Sequence, residues 1–441
     1  MKNKKRKMKL LKEIAGKLEK LNVDEYALSY NEEEASQVKF ANSKIVKNGY
    51  ELSKDIGLFV NYKKRLGVTL IKSFDEKDIE NSISALINFV KKTEQNKEFK
   101  GLSEGDFRYK ELENCYDKKF DDIDEEDAVE EGINIANEYA EKAAGIFDKY
   151  KGKSYLITSH NIEGEEEYTK YYYSIKSIKN EGSGYDTFCS RIFNRKLIKE
   201  SALKASKIAN DSQKPSEIEE GKYDVVFGMP VTNILLNEIA NHACMFNVES
   251  GLSFLAGKLN QKIGKITLKD DARLENGFNS CKFDDEGTPS GITIILDNGI
   301  LKTYLHNYSS AKRNNMQNTG NAGLIMQRAS NIVLEKGECE EGDVNDIENG
   351  LYITNSWYTR FQNYRTGDFS TIPRDGIFLI KKGKIEKAVK NIRITDNMLN
   401  LLNNIEKIGK EIKQMKTWEA DIPVMSREIL IRNVNITKPK I

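Results

Sequence analysis

Glu238 and His242 have the types and the spacing to do chemistry together. They stand four residues apart in a stretch of helical periodicity, so a carboxylate and an imidazole share one helix face. From such groups general-base and metal chemistry are built, although two residues so placed can also simply pair with each other. Asp284, Asp285 and Glu286 precede Gly287 and read as a turn whose carboxylates accept backbone N–H groups. Asp284 and Asp285 also resemble metal ligands, but a carboxylate pair without a matching His or third acid rarely makes a site. Trp357, Tyr358, Arg360, Phe361, Tyr364 and Arg365 form an aromatic and basic cluster. It can stack on bases, though stacked sheet positions or a peptide-lining wall are commoner uses.

Other chemistries find little material. The chain has three histidines, which leaves little room for Ser-His-Asp or Cys-His catalysis. No phosphate-binding glycine loop stands between a strand and a helix. Five scattered cysteines without a CxxC pair fit neither a disulfide framework nor a zinc ribbon, and suggest a reducing cytoplasm. Lys+Arg is 69 and Asp+Glu is 68, a balance that argues against nucleic acid or an anionic membrane as partner. No apolar run approaches the ~20 residues of a spanning helix. Met1 to Lys9 is basic but lacks the apolar stretch of a secretory signal, and reads as a solvated arm.

The elements that must position these groups follow from periodicity. Residues 10–21 and 79–90 predict amphipathic helices, with short strands at 26–30, 37–45, 56–62 and 67–71 between them and a turn at Asn48-Gly49. Residues 128–147 and 194–209 read as further helices, with strands at 155–158 and 168–175. The acidic run 121–131 suits a helix N-terminus. The polar stretch 212–222, with Pro215 and Gly221, is the expected boundary between two units, 1–211 and 222–441. Beyond it come a strand at 223–227, a helix at 232–246, hairpins around Asp297-Asn298-Gly299 and Lys381-Lys382-Gly383, a helix at 398–412 and a strand at 429–436. The expected class is α+β with two domains. The first is helix, antiparallel sheet and helix; the second is strand-rich.

Four stretches of the second half together resemble the TldD/PmbA metalloprotease-related family. They are Phe283 to Pro289, Thr319 to Gly323, Gly350 to Thr354 leading into Tyr358 to Asn363, and Thr366 to Ser370 running through Pro373 to Gly376. Each is a short turn-rich motif, but their order over about 200 residues of one domain-sized block is specific. The first half matches only in its element order.

The resemblance implies a metal motif. Catalytic members carry HExxxH on the first helix of the second domain, with two zinc-binding histidines, a Glu acting as general base, and a cysteine near the C-terminus as a further ligand. Here Glu238 matches the base and His242 the second ligand, while Asn237 stands at the first histidine. An amide is a poor zinc ligand beside imidazole, and no cysteine follows Cys339. Residues five apart lie ~140° apart on an ideal helix, so two ligands at that spacing also need a bulge or helix end. Cys244, Cys281 and His306 are the substitute ligands available. They read instead as two buried small hydrophobes and a sheet-edge residue, and His160 has no evident partner.

The chain therefore looks like the family's PmbA/TldE-like members, which lack the intact motif. That implies a non-catalytic subunit, idle in proteolysis by itself, without a cofactor. Its partner would be an HExxxH-bearing homologue, or itself in a dimer, and its substrate an unfolded or modified peptide. The expected peptide-binding residues are Asp284, Asp285, Glu286, Thr354, Tyr358, Arg360 and Asn363. Two alternatives stand beside this. One is an active metallopeptidase with an altered ligand set, holding zinc through His242; the other is a homodimeric binding protein for peptides or a small ligand.

Overall fold

A computed structural model describes residues 2–340 and 342–438, with the side chains of 2–4 left aside. The chain begins with α1 (Lys2–Lys20), followed by β1 (Glu25–Ala41), β2 (Lys44–Tyr62), β3 (Arg65–Ile71), α2 (Glu76–Val90) and α3 (Glu125–Asn137). Then come β4 (Lys142–Thr158), β5 (Glu163–Lys179), β6 (Gly182–Ser190) and α4 (Arg195–Asp211). The strands form one antiparallel sheet in the order β3-β2-β1-β4-β5-β6.

Alternation along the strands divides this sheet into two faces. Leu28, Tyr30, Val38 and Phe40 of β1, with Phe147, Tyr155 and Ile157 of β4, point to the face that the helices cover. There Leu11, Ile14 and Leu18 of α1 meet Ile79, Ile83 and Val90 of α2. Ala128, Val129 and Ile133 of α3 meet Ile198, Ala202 and Ala205 of α4 over Tyr171 and Tyr173. Asp75 caps α2, Asp124 caps α3 and Asn194 caps α4 by accepting backbone N–H groups. The residues in between, such as Ser29, Asn31, Ser154 and Lys170, point to the opposite face, toward the second half of the chain.

The second half runs β7 (Gly221–Phe227), α5 (Met229–Ala243), α6 (Met245–Glu249), β8 (Leu268–Asp271), β9 (Ile292–Asp297), β10 (Ile300–Leu301), α7 (Tyr308–Asn314) and β11 (Ile332–Leu334). It continues with β12 (Asn349–Asn363), β13 (Asp368–Lys381), β14 (Lys384–Ala388), β15 (Arg393–Asn397), α8 (Met398–Asn404), β16 (Ile405–Ile408), β17 (Lys413–Met415), β18 (Val424–Ser426) and β19 (Ile429–Thr437). One sheet has the order β10-β9-β8-β11-β18-β17; the other is β12-β7-β19-β15-β13-β14. An additional pairing of β12 with β13 closes five strands of the latter into a ring, which leaves those strands no free edge. Both sheets share a core with α5, in which Leu235, Leu236 and Ile239 meet Val225, Leu351, Ile332 and Val424. The class is α+β as expected, and no helix among the described residues is long and apolar enough to cross a membrane.

Several expected boundaries move. The basic arm belongs to α1, and Lys7 is buried against Glu32 and the rings of Tyr30 and Tyr155. Met1 and the side chains of Lys2 and Lys4 lie outside the described residues. The turn expected at Asn48-Gly49 is at Asn42-Ser43, where φ values of 49° and 57° give the two-residue hairpin its left-handed pair. The helix expected at 128–147 ends at Asn137, and residues 142–147 already pair in β4. The helix expected at 398–412 ends at Asn404, because Ile405 to Ile408 pair with β19. The helix expected at 232–246 starts at Met229, with Pro230 in its first turn, and breaks at Cys244 before α6.

Candidate functional site

Helix α5 is apolar nearly all round, as a helix enclosed by a core must be. Its polar line is Asn233, Asn237 and Asn241, spaced by four and so on one face. That line docks the extended segment before β19. Asn233 Nδ2 donates to the Met415 carbonyl at 2.9 Å, and Asn237 Nδ2 donates to the Ile422 carbonyl at 2.7 Å. Asn237 Oδ1 accepts from Asn241 Nδ2 at 3.3 Å. Both ends of the Asn237 amide therefore hold the fold together.

Glu238 lies one residue round the helix and faces two other groups. Burial first, and then the Glu419 carboxylate, raise its pKa to about 7, against the opposing pull of the Arg360 guanidinium. Glu419 is itself buried. It accepts from Arg360 Nη1 at 2.7 Å and from the Thr359 N–H at 2.8 Å, while its Oε2 has no partner among the described residues. Two carboxyls and one guanidinium thus meet where α5, β12 and the C-terminal segment converge. Such a group can hand over a proton near neutral pH. Around it, exposed Tyr358 and Trp418 stand edge to face with centroids 5.8 Å apart, and Arg374 lies over Tyr358 at 5.9 Å. Tyr358 takes a left-handed φ of 60°, unusual for an aromatic residue.

His242 points elsewhere. Its ring packs against Phe254 at 4.4 Å and Phe361 at 4.6 Å, with Tyr364 at 6.0 Å, and burial lowers its pKa to about 4. No hydrogen bond joins it to Glu238 among the described residues. Its Nδ1 accepts the Phe254 N–H at 3.2 Å, so the neutral ring carries its proton on Nε2.

The implied zinc does not fit these residues. A zinc-bound imidazole normally donates its second N–H to a carbonyl or carboxylate. Here the second nitrogen faces a donor, so metal on Nε2 would require an imidazolate. Asn237 is spent on backbone and neighbour. Among the described residues no three His, Cys, Asp or Glu side chains are grouped to hold a metal ion. The substitute ligands fare no better. Cys244 is buried with its pKa raised to about 12 by burial, and Cys281 lies 3.1 Å from Ser290 Oγ. His306 is not at a sheet edge but fully buried, 3.1 Å from Ser310 Oγ. His160 does have a partner, Glu25 at 3.0 Å.

The other expected residues are not gathered around Glu238. Asp284 is a turn residue: its carboxylate accepts from the N–H groups of Glu286 (3.0 Å), Thr288 (2.9 Å) and Ala322 (2.9 Å), while burial pushes its pKa up. Asp285 pairs with Arg328 at 2.6 Å, and buried Glu286 accepts the Tyr308 N–H at 3.2 Å. Thr354 Oγ1 donates to the carbonyls of Asp375 and Gly376 at a β-bulge. Asn363 caps the β12–β13 turn by accepting from Arg365 and Thr366. Of the set, only Tyr358 and Arg360 share the Glu238 region. Sequence reasoning missed Glu419, which carries no motif and is placed only by Arg360 and the Thr359 N–H.

Residues 220–438 match the model of the PmbA/TldA metallopeptidase C-terminal domain. The chain belongs to the TldD/PmbA family. Similar relatives span nearly the whole length. A metalloprotease of Methanocaldococcus jannaschii is 26% identical over 90% of this chain and 92% of its own. A metalloprotease PmbA homolog of Buchnera aphidicola is 25% identical over 85% and 86%. The fold is shared with TldE from Thermococcus kodakarensis, at a TM-score of 0.85 and 18% identity over 97% of this chain and all of that one. Within this TldD/PmbA-family chain the helix that opens the matched domain is α5. That helix carries Asn237, Glu238 and His242.

Proposed function

We propose that the chain is the non-catalytic, TldE-like subunit of a metallopeptidase complex in the reducing cytoplasm, acting on unfolded or modified peptides. The observation that carries this reading is the double commitment on α5. The Asn237 amide is bound to the Ile422 carbonyl, and His242 presents its acceptor nitrogen to a backbone N–H. With neither side chain available as a metal donor, hydrolysis falls to a partner that keeps the zinc motif. The exposed aromatic and basic wall of Tyr358, Trp418, Arg360 and Arg374 supports a role in contacting peptide, since such residues are enriched in binding surfaces. The five free cysteines support the location.

Affinity purification of the native protein, followed by digestion of an unfolded peptide, tests the reading. We expect recovery of an HExxxH-bearing relative, with cleavage only when both chains are present. A chain that cleaves the peptide alone, and stops when Glu238 is replaced by Gln, would overturn it in favour of an enzyme with an altered site.

A further inference from the structure

The polar face of the N-terminal sheet does not close onto the second half of the chain. Between them lies a cavity of about 430 Å³, within the range of small-ligand pockets, about 300–1,000 Å³. One wall is the alternate residues of three adjacent strands, among them Ser29, Ser154 and Lys170; the other comprises loops 279–285 and 324–330. Most charges at its surface are already committed. Arg191 is 2% exposed and gives its N–H groups to the carbonyls of Gly277, Phe278, Ser280 and Cys115. Asp284 is held by three backbone N–H groups, and Arg328 is paired with Asp285. Glu166 accepts the Lys282 N–H at 2.9 Å and lies 3.9 Å from Arg191. Lys170 differs. Its Nζ donates to Asn279 Oδ1 at 3.1 Å and otherwise faces the rings of Tyr168 and Phe278 at 5.1 Å, with no carboxylate within 4 Å among the described residues.

We propose that this cavity binds a small monocarboxylate of about dipeptide size, whose carboxylate seats on the Lys170 ammonium. Among the described residues lining the cavity, Lys170 is the one cation without a carboxylate partner, and Glu166 and Asp284 share the lining, which suits one negative charge and disfavours a dianion such as phosphate. The serine and asparagine side chains of the walls supply hydrogen bonds for amide groups, and Leu156, Phe283 and Leu324 supply apolar contact. The assignment does not depend on the peptidase-complex reading. Lys170 also has the right electrostatics. Burial, then Arg191 and Arg328, lower its pKa to about 7, while Glu33 and Glu166 oppose them. A bound carboxylate restores the ammonium, so binding takes up a proton above pH 7 and weakens as pH rises.

Isothermal titration of the full chain with N-acetylglycylglycine, and with its C-terminal amide, tests this. We expect the acid to bind one site per chain at pH 6, at least about tenfold more weakly at pH 9. The amide, and the acid on Lys170→Met, should each bind at least about tenfold more weakly than the acid on the parent chain at pH 6. A second measurement needs no variant. Acetic anhydride at pH 7 should label Lys170 ahead of exposed lysines, and the acid but not the amide should protect it. Equal binding of acid and amide, no binding of the acid, an unchanged Lys170→Met variant, or absence of protection would each overturn the assignment.

Discussion

Replacing Glu238 by Gln keeps the shape of the side chain and removes its charge, which isolates the electrostatic state of the α5 site. The folded pKa of about 7 stands above the ordinary 4.5 of an unfolded Glu. The folded state therefore binds the proton more tightly. The stability linked to that proton is fully present below about pH 4.5 and is lost as pH rises through 7. The gap corresponds to about 3 kcal/mol at roughly 1.4 kcal/mol per pH unit. Above pH 8 the parent carries the whole cost of an ionised carboxylate beside Glu419, whereas Glu238→Gln carries none. Urea unfolding at pH 5 and pH 8.5 reads the difference. We expect the variant to gain about 2–3 kcal/mol on the parent between the two pH values. A variant-to-parent difference that does not change with pH would show that Glu238 does not hold its proton in the folded state, and would refute the reasoning.

Two further outcomes follow from the same helix. Asn237→Ala removes the donor to the Ile422 carbonyl and the acceptor for Asn241, and should cost about 1–3 kcal/mol in denaturant unfolding; a neutral result would mean the contact is not structural. His242 should titrate near pH 4 by NMR, with the Nε2–H tautomer above that. Because burial depresses this base, its contribution to stability should fall as pH drops from about 6.5 toward 4, and a titration midpoint near 6.5 would contradict its packing.

The parts of the fold that were legible are those whose backbone and side-chain signals agree. Helices α2 and α4 carry apolar periodicity and a capping Asp75 or Asn194, and the Lys382-Gly383 hairpin carries its turn residues. The long strands were not legible because pairing rather than burial sustains them. Residues 31–36 of β1 are polar except for Ala35, yet they pair on one side with β2 and on the other with β4, with Glu32 and Glu34 reaching Lys54 and Lys151. Asn48-Gly49 looks like a turn but lies in that ladder, opposite Val38 and Gln37. At the site, Glu238 and His242 were visible as a pair on one face, but their divergence was not. What separates them is the aromatic packing of Phe254 and Phe361 on one and the approach of Glu419 to the other, both set by tertiary contacts from far along the chain.

The central claim is that α5 as folded offers no metal site, and zinc content tests it most directly. The chain would be purified without chelator, equilibrated with excess zinc, desalted and assayed by plasma mass spectrometry beside a relative with intact HExxxH. We expect well under one zinc per chain, unchanged in His242→Ala. One tightly held zinc per chain, lost in His242→Ala, would contradict the account.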